Sequence, residues 1–169
     1  MAPRKSQKKT EKHLVIDAGN GNTKVSIGGE SEVIPSLLSQ NDGNFIRGGF
    51  TLEGEQWILG WDNVNRADAF SIASKDTGKL DNLHLMLAGA ISSMRHQVNS
   101  GDILKVHVLT LNTNKRDSIE TSVARSIQNL SIDNQDLSLA VELTGVYPEG
   151  YGAALYACSL YPTHKRVAV

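Results

Sequence analysis

His13-Leu14-Val15-Ile16-Asp17-Ala18-Gly19-Asn20-Gly21-Asn22-Thr23-Lys24-Val25-Ser26-Ile27 holds the most informative pattern in the chain. Leu14, Val15 and Ile16 form an apolar run, Gly19 to Asn22 are turn formers, and Val25 and Ile27 alternate with Lys24 and Ser26. That pattern predicts a β-hairpin with a glycine-rich tip. Asp17 leaves the first strand and Lys24 enters the second. A carboxylate at a strand end holds Mg²⁺ through water, and glycines let backbone N–H groups approach phosphate oxygens. A lysine neutralises charge that develops in phosphoryl transfer. Asp17, Gly19, Asn20, Gly21, Asn22, Thr23 and Lys24 are therefore candidate ligands for a triphosphate, with Asp17 the candidate for the metal. A bare Gly-Asn-Gly-Asn is an ordinary turn with residues at positive φ; the preceding Asp and following Thr-Lys turn the reading toward phosphate. No helix opens on a Gly-Lys-Ser/Thr triplet, which excludes a P-loop, and the third glycine of a dinucleotide fingerprint is missing.

The surroundings are those of an ordinary folded chain. At 169 residues, with 40% hydrophobic and 21% charged residues, the sequence predicts one α/β domain. No apolar run approaches the roughly 18 to 20 residues of a membrane span, and no secretory leader is legible, so the expected location is the cytoplasm without membrane contact. Cys158 stands alone, which excludes an internal disulfide. Arg4, Lys5, Lys8, Lys9 and Lys12 against Glu11 make residues 1–12 a basic arm, although the whole chain carries a net charge of -1. Such an arm reads as a solvated tail, with non-specific nucleic-acid contact as the alternative.

Beyond the first hairpin, Glu32 to Leu38 predicts a third extended stretch. Phe50 to Gly60 predicts a second hairpin turning at Glu53 and Gly54. Asn41 to Gly49 and Asn63 to Lys79 read as loops. From Leu80 the period becomes helical: Asp81 is the expected N-cap, Leu83, Leu87, Ala90, Ile91, Met94 and Val98 recur on one face, and Gly101 ends the helix. Ile103 to Leu111 predicts a strand, and Ile119, Val123, Ile127 and Leu130 a second helix after Asn112 to Asn114. Leu137 to Val146 predicts another strand, Glu149 to Leu160 a third helix, and Arg166 to Val169 the opening of one more strand. The predicted architecture is a mixed sheet with an N-terminal hairpin and a third strand, followed by αβαβα.

On these residues the chain resembles the actin, sugar kinase and seventy-kilodalton heat-shock ATPase superfamily, and within it the ParM/StbA plasmid-segregation group. The resemblance rests on Ile16, Asp17, Gly19, Asn22 and Lys24, and on Val146-Tyr147-Pro148-Glu149-Gly150-Tyr151-Gly152. It implies a ribonuclease-H-like actin-like ATPase domain over residues 13–169 that binds ATP with Mg²⁺. By the same resemblance Asp17 would organise Mg²⁺, Lys24 would contact the β- and γ-phosphates, and Glu149 would orient or deprotonate the attacking water. Taken alone, Glu149 reads equally well as an acidic residue stabilising the first turn of its own helix. The resemblance further implies self-association as a filament or dimer, a DNA-bound adaptor protein, and a second domain of the same chain. The sequence is expected to hold only the first domain, to end before the second phosphate loop, and so to form half a site with weak nucleotide affinity and little hydrolysis.

Other residues carry less. His13, His84, His96, His107 and His164 lack zinc-ligand spacing. Cys158 among alanines and leucines reads as a buried thiol, and Trp57 and Trp61 as caps on a core. Asn129-Leu130-Ser131 matches a glycosylation acceptor that a cytoplasmic chain would not present to the enzyme. A stand-alone, non-catalytic binding or assembly module is the alternative reading, with an edge strand at Arg166 to Val169 offering association. A kinase or chaperone-type member is disfavoured, because no sugar- or peptide-binding segment is visible.

Overall fold

The computed structural model describes residues 9–40, 49–72 and 78–153. The first three strands run through the opening motif and past it: β1 (Glu11–Ala18), β2 (Asn22–Ile27) and β3 (Glu30–Pro35) form an antiparallel meander. β8 (Ile103–Leu109) joins the free side of β1 in parallel, and β11 (Ala140–Tyr147) joins β8 in parallel. The sheet therefore has the order β11-β8-β1-β2-β3, with β1 at its centre. Alternation fixes its two faces, since a strand's side chains point to opposite sides. Leu14, Ile16, Val25, Ile27, Leu104, Val106 and Val108 are buried, and His13, Val15, Asp17 and Lys24 fall on the other face.

Four strands between β3 and β8, joined by two that follow β8, build a second sheet. β4 (Leu37–Gln40), β5 (Gly49–Leu52), β6 (Glu55–Leu59), β7 (Phe70–Ser71), β9 (Ser131–Ile132) and β10 (Gln135–Asp136) lie in the order β10-β9-β5-β6-β4-β7. The stretch expected as one strand from Glu32 to Leu38 is thus two strands in different sheets, with the switch at Ser36. The β5–β6 hairpin turns where the sequence predicts, with Glu53 at φ 54° and Gly54 at φ 88°. The buried Asn63 clamps the sheet: its amide donates to the carbonyls of Leu37 and Ile58, each at 2.8 Å, and its oxygen accepts from Ser39.

The helices are α1 (Gly78–Asp81), α2 (Leu83–Ser93) and α3 (Arg116–Arg125). The single helix expected from an Asp81 cap is two. Asp81 closes α1, Asn82 at φ -103° and ψ 5° breaks the run, and a 3-10 turn at Arg95–Gln97 follows α2. Ten of the eleven residues of α2 are buried, because it packs against β1 of one sheet and β5 and β6 of the other. A helix with a sheet on two sides has no polar face, so its ends are not marked by periodicity. The backbones come close where Gly89 faces Leu59, and a Cβ there would stand 2.5 Å from the leucine Cβ.

Ile119 and Val123 bury the inner face of α3, whereas Ile127 and Leu130 follow in turns beyond it. β1 begins at Glu11, so Lys12, counted with the basic arm, is a strand residue whose ammonium reaches the buried Asp102 at 2.8 Å. Trp57 packs partly against the core, but Trp61 is 64% exposed and caps nothing. The predicted order of hairpin, third strand, helix, strand, helix and strand is observed through β11. Residues 151–153 are helical, beginning two residues after the expected start at Glu149. Cys158, His164, the remainder of the third helix, the Arg166 to Val169 strand and most of the Asn41 to Gly49 loop lie outside the described residues. Among the described residues, no helix is long and apolar enough to cross a membrane.

Candidate active site

Asp17 and Lys24 are directly opposed in the antiparallel register of β1 and β2. Opposed residues on one face lie close enough to interact, and the Lys24 ammonium is 3.5 Å from the Asp17 carboxylate. The lysine side chain is 66% exposed and the aspartate 22%, so a cation and an anion stand together at the mouth of the hairpin. Asn20, Gly21 and Asn22 are exposed at the tip. At Gly19 a Cβ would meet the Asn22 carbonyl at 2.5 Å, so the tight turn requires glycine there.

Thr23 lies on the inner face of β2. It was expected among the phosphate ligands, but it is fully buried and its hydroxyl lies 2.9 Å from that of Ser36. Ser36, at the switch between the sheets, is the residue that holds this loop. Its backbone N–H donates to the Gly21 carbonyl at 3.0 Å, its hydroxyl to the Gly19 carbonyl at 2.8 Å, and its own carbonyl accepts from Ile72. Thr23 and Ser36 thus brace the loop from beneath. Ser36 carried no signal in the sequence, since only the pairing of Asn22 with Pro35 brings it under the turn.

Glu149 arrives from another part of the chain. Asp17 pairs with Leu109, and Leu109 with Tyr147, so β1, β8 and β11 all end at one level. Asp17 and Tyr147 are two strands apart, roughly 10 Å at the usual spacing, and Glu149 follows Tyr147 by two residues. Both halves of the predicted site therefore lie along the carboxyl edge of the parallel strands, where open α/β sheets bind ligands. Pro148 to Tyr151 form a turn closed by the Tyr151 N–H donating to the Pro148 carbonyl at 3.1 Å, with Gly150 at φ 81°. Positive φ at the third position is the requirement of a type II turn, and it puts Glu149 at the tip. Its carboxylate accepts a hydrogen bond from Lys79 of α1 at 3.2 Å. The sequence contained no sign of that partner.

An aromatic row leads across the exposed face to this turn. His13 stacks on His107, His107 on Tyr147, and Tyr147 on Tyr151, with ring centroids 5.2, 6.0 and 5.1 Å apart. Gly145 leaves room for the Tyr147 ring, which a Cβ would overlap. Burial, and then the neighbouring His13, holds His107 below the usual imidazole range.

The donor set fits a magnesium nucleotide. Among the described residues no three His, Cys, Asp or Glu side chains converge on a metal-binding point. One carboxylate at a strand end suits Mg²⁺, which commonly takes one or two carboxylates and completes its shell with water and phosphate.

The model of the N-terminal domain of actin-like proteins matches residues 15–152. The chain belongs to the actin-like protein family. Among solved structures, the apo ParM protein of psk41 is similar at a TM-score of 0.61 and 19% identity, over 83% of this chain and 49% of that one. ParM of Bacillus thuringiensis with AMPPNP is similar at 0.53 and 13%, over 81% and 45%. The Alp12 filament structure is similar at 0.52 and 12%, over 83% and 46%. At these identities the likeness is one of fold, and this actin-like chain spans about half the length of each structure. No curated protein matches the sequence.

Proposed function

We propose that this chain supplies one half of the nucleotide site of a bacterial actin-like, filament-forming ATPase that acts in the cytoplasm in plasmid or DNA segregation. The observation that carries the reading is the Asp17–Lys24 pair across a glycine turn, at the same sheet edge as Glu149. In it Lys24 turns from Asp17 to the β- and γ-phosphates, and exposed Asn20, Gly21 and Asn22 line the phosphate path. Asp17 would hold Mg²⁺ through water, and the ion would supply positive charge against the phosphates. Glu149 orients the attacking water and accepts its proton, a role worth about 10²- to 10⁴-fold in such sites. The adenosine side and a second phosphate loop would come from a second domain. ParM with AMPPNP and the Alp12 filament support nucleotide binding and self-association by likeness of fold. Trp61, Val64 and Phe70, exposed around β4, give a surface for association, and a DNA-bound adaptor would link the assembly to its cargo.

The test uses the full natural polypeptide that contains this chain. Light scattering and phosphate release with Mg-ATP are expected to show assembly coupled to hydrolysis. Glu149→Gln should lower hydrolysis at least about 100-fold while a fluorescent ATP analogue still binds. Hydrolysis unchanged in that variant would overturn the assignment of Glu149.

A further inference from the structure

We infer that Lys79 is a positioning residue for hydrolysis: through its ion pair it holds the Glu149 carboxylate in the orientation the attacking water needs. The inference rests on the role proposed for Glu149 above. The Glu149 backbone is already fixed by the Pro148–Tyr151 turn and Gly150. Its side chain has further rotatable bonds, and Lys79 Nζ at 3.2 Å from Oε1 restrains them.

The pair is not an ordinary surface contact. The lysine side chain is 15% exposed and the glutamate 28%. An exposed pair contributes about 0–1 kcal/mol because water and salt screen it; a largely covered charge depends far more on its partner. The lysine also has a fixed base, since α1 packs against both α2 and α3. Seventy residues separate the two side chains, so the bridge ties the segment following β7 of the second sheet to the catalytic edge of the first. One carboxylate oxygen, Oε1, faces the lysine. Misplacement of a reacting group by about 1 Å can cost on the order of 100-fold in rate.

The experiment measures steady-state ATP hydrolysis and analogue affinity in the full polypeptide, for Lys79→Met, Lys79→Arg, Glu149→Gln and the double variant K79M/E149Q. Expected are a fall in kcat of about 10- to 100-fold for K79M with affinity within about twofold of wild type, and recovery of most of the rate in K79R. The double variant should be no slower than E149Q, since residues acting as one unit are not additive. Should K79M not fold, judged by its thermal transition, Lys79→Gln takes its place in every readout. Three results would each overturn the inference: unchanged kcat in the lysine variant, loss of rate in proportion to loss of nucleotide, or additive effects in the double variant. A wild-type K79M beside an inactive E149Q removes only this inference; a fully active E149Q removes the role of Glu149 as well.

Discussion

The two sheets use the same alternating strands for different ends. In the five-stranded sheet β1, β8 and β11 run for 7 or 8 residues, one face is buried, and three parallel ends align at one edge. In the six-stranded sheet the strands run for 2 to 5 residues, and β5 and β6 pack on α2. The regular register of β1 and β2 places Asp17 and Lys24 opposite one another, and β11 keeps its end level with β8 despite a bulge between Leu143 and Gly145. The short strands β5 and β6 bring apolar side chains to a helix that needs a second cover. The proposed chemistry belongs to the edge of the first sheet, both sheets bury apolar side chains, and Ser36 is common to both.

The largest expected effect tests the second sheet. Ile58 in β6 is fully buried, and Ile58→Ala should cost about 2–5 kcal/mol in denaturant unfolding. The folded molecules should keep wild-type nucleotide affinity, and a parallel loss of affinity would break the contrast. Next comes the first sheet: Lys24→Ala should weaken Mg-nucleotide binding about 30-fold, or about 2 kcal/mol. Its thermal midpoint should hardly move, because the Lys24 ammonium is 66% exposed and its 3.5 Å contact with Asp17 is screened by water.

Ser36→Ala sharpens the comparison, since one hydroxyl serves both regions. It leaves the Gly19 carbonyl and Thr23 hydroxyl short of a partner, at about 1–3 kcal/mol for a buried polar group. Unlike I58A, it should also weaken nucleotide binding several-fold, read by titrating the same analogue.

The smallest effect is a pH dependence. Burial, then Arg125, lowers the pKa of His84 in α2, and burial, then His13, lowers that of His107 on the first sheet. The unfolded chain accepts protons near pH 6.5 that the native state refuses. Their contribution is therefore complete above about pH 6.5 and falls as pH drops toward the lower folded values. Asp102 also titrates low: burial raises its pKa, but the Lys12 ammonium and the Asn99 N–H together lower it. Its contribution is lost only below about pH 4, outside this window. The thermal midpoint should decline from about pH 7.5 to 5.5, and His84→Gln should flatten that decline more than His107→Gln. The reverse ranking would place the sensitivity in the first sheet.

Much of this was legible in the sequence, and the exceptions share a cause. The Asp17 to Lys24 turn and the Glu53-Gly54 turn were readable because their determinants are neighbours in the chain. The β9–β10 hairpin was missed although Asp133 and Asn134, at φ 52° and 59°, are turn residues that tolerate that conformation. Its strands are too short to alternate. α2 was located but misbounded, because burial on two sides erases the polar stripe that marks a helix's extent. Residue type alone reads Trp61 as a cap on the core, whereas it is 64% exposed.

By itself the sequence determined the hairpin, its charges, the order of strands and helices, and the place of Glu149 after a strand. Each depends on periodicity or on residues a few positions apart. Only the tertiary structure decided that the Thr23 hydroxyl meets Ser36, that Ser36 braces the loop, and that Lys79 meets Glu149. Those contacts join residues 13, 17 and 70 positions apart, and such contacts follow from strand register and helix packing, which no local pattern encodes.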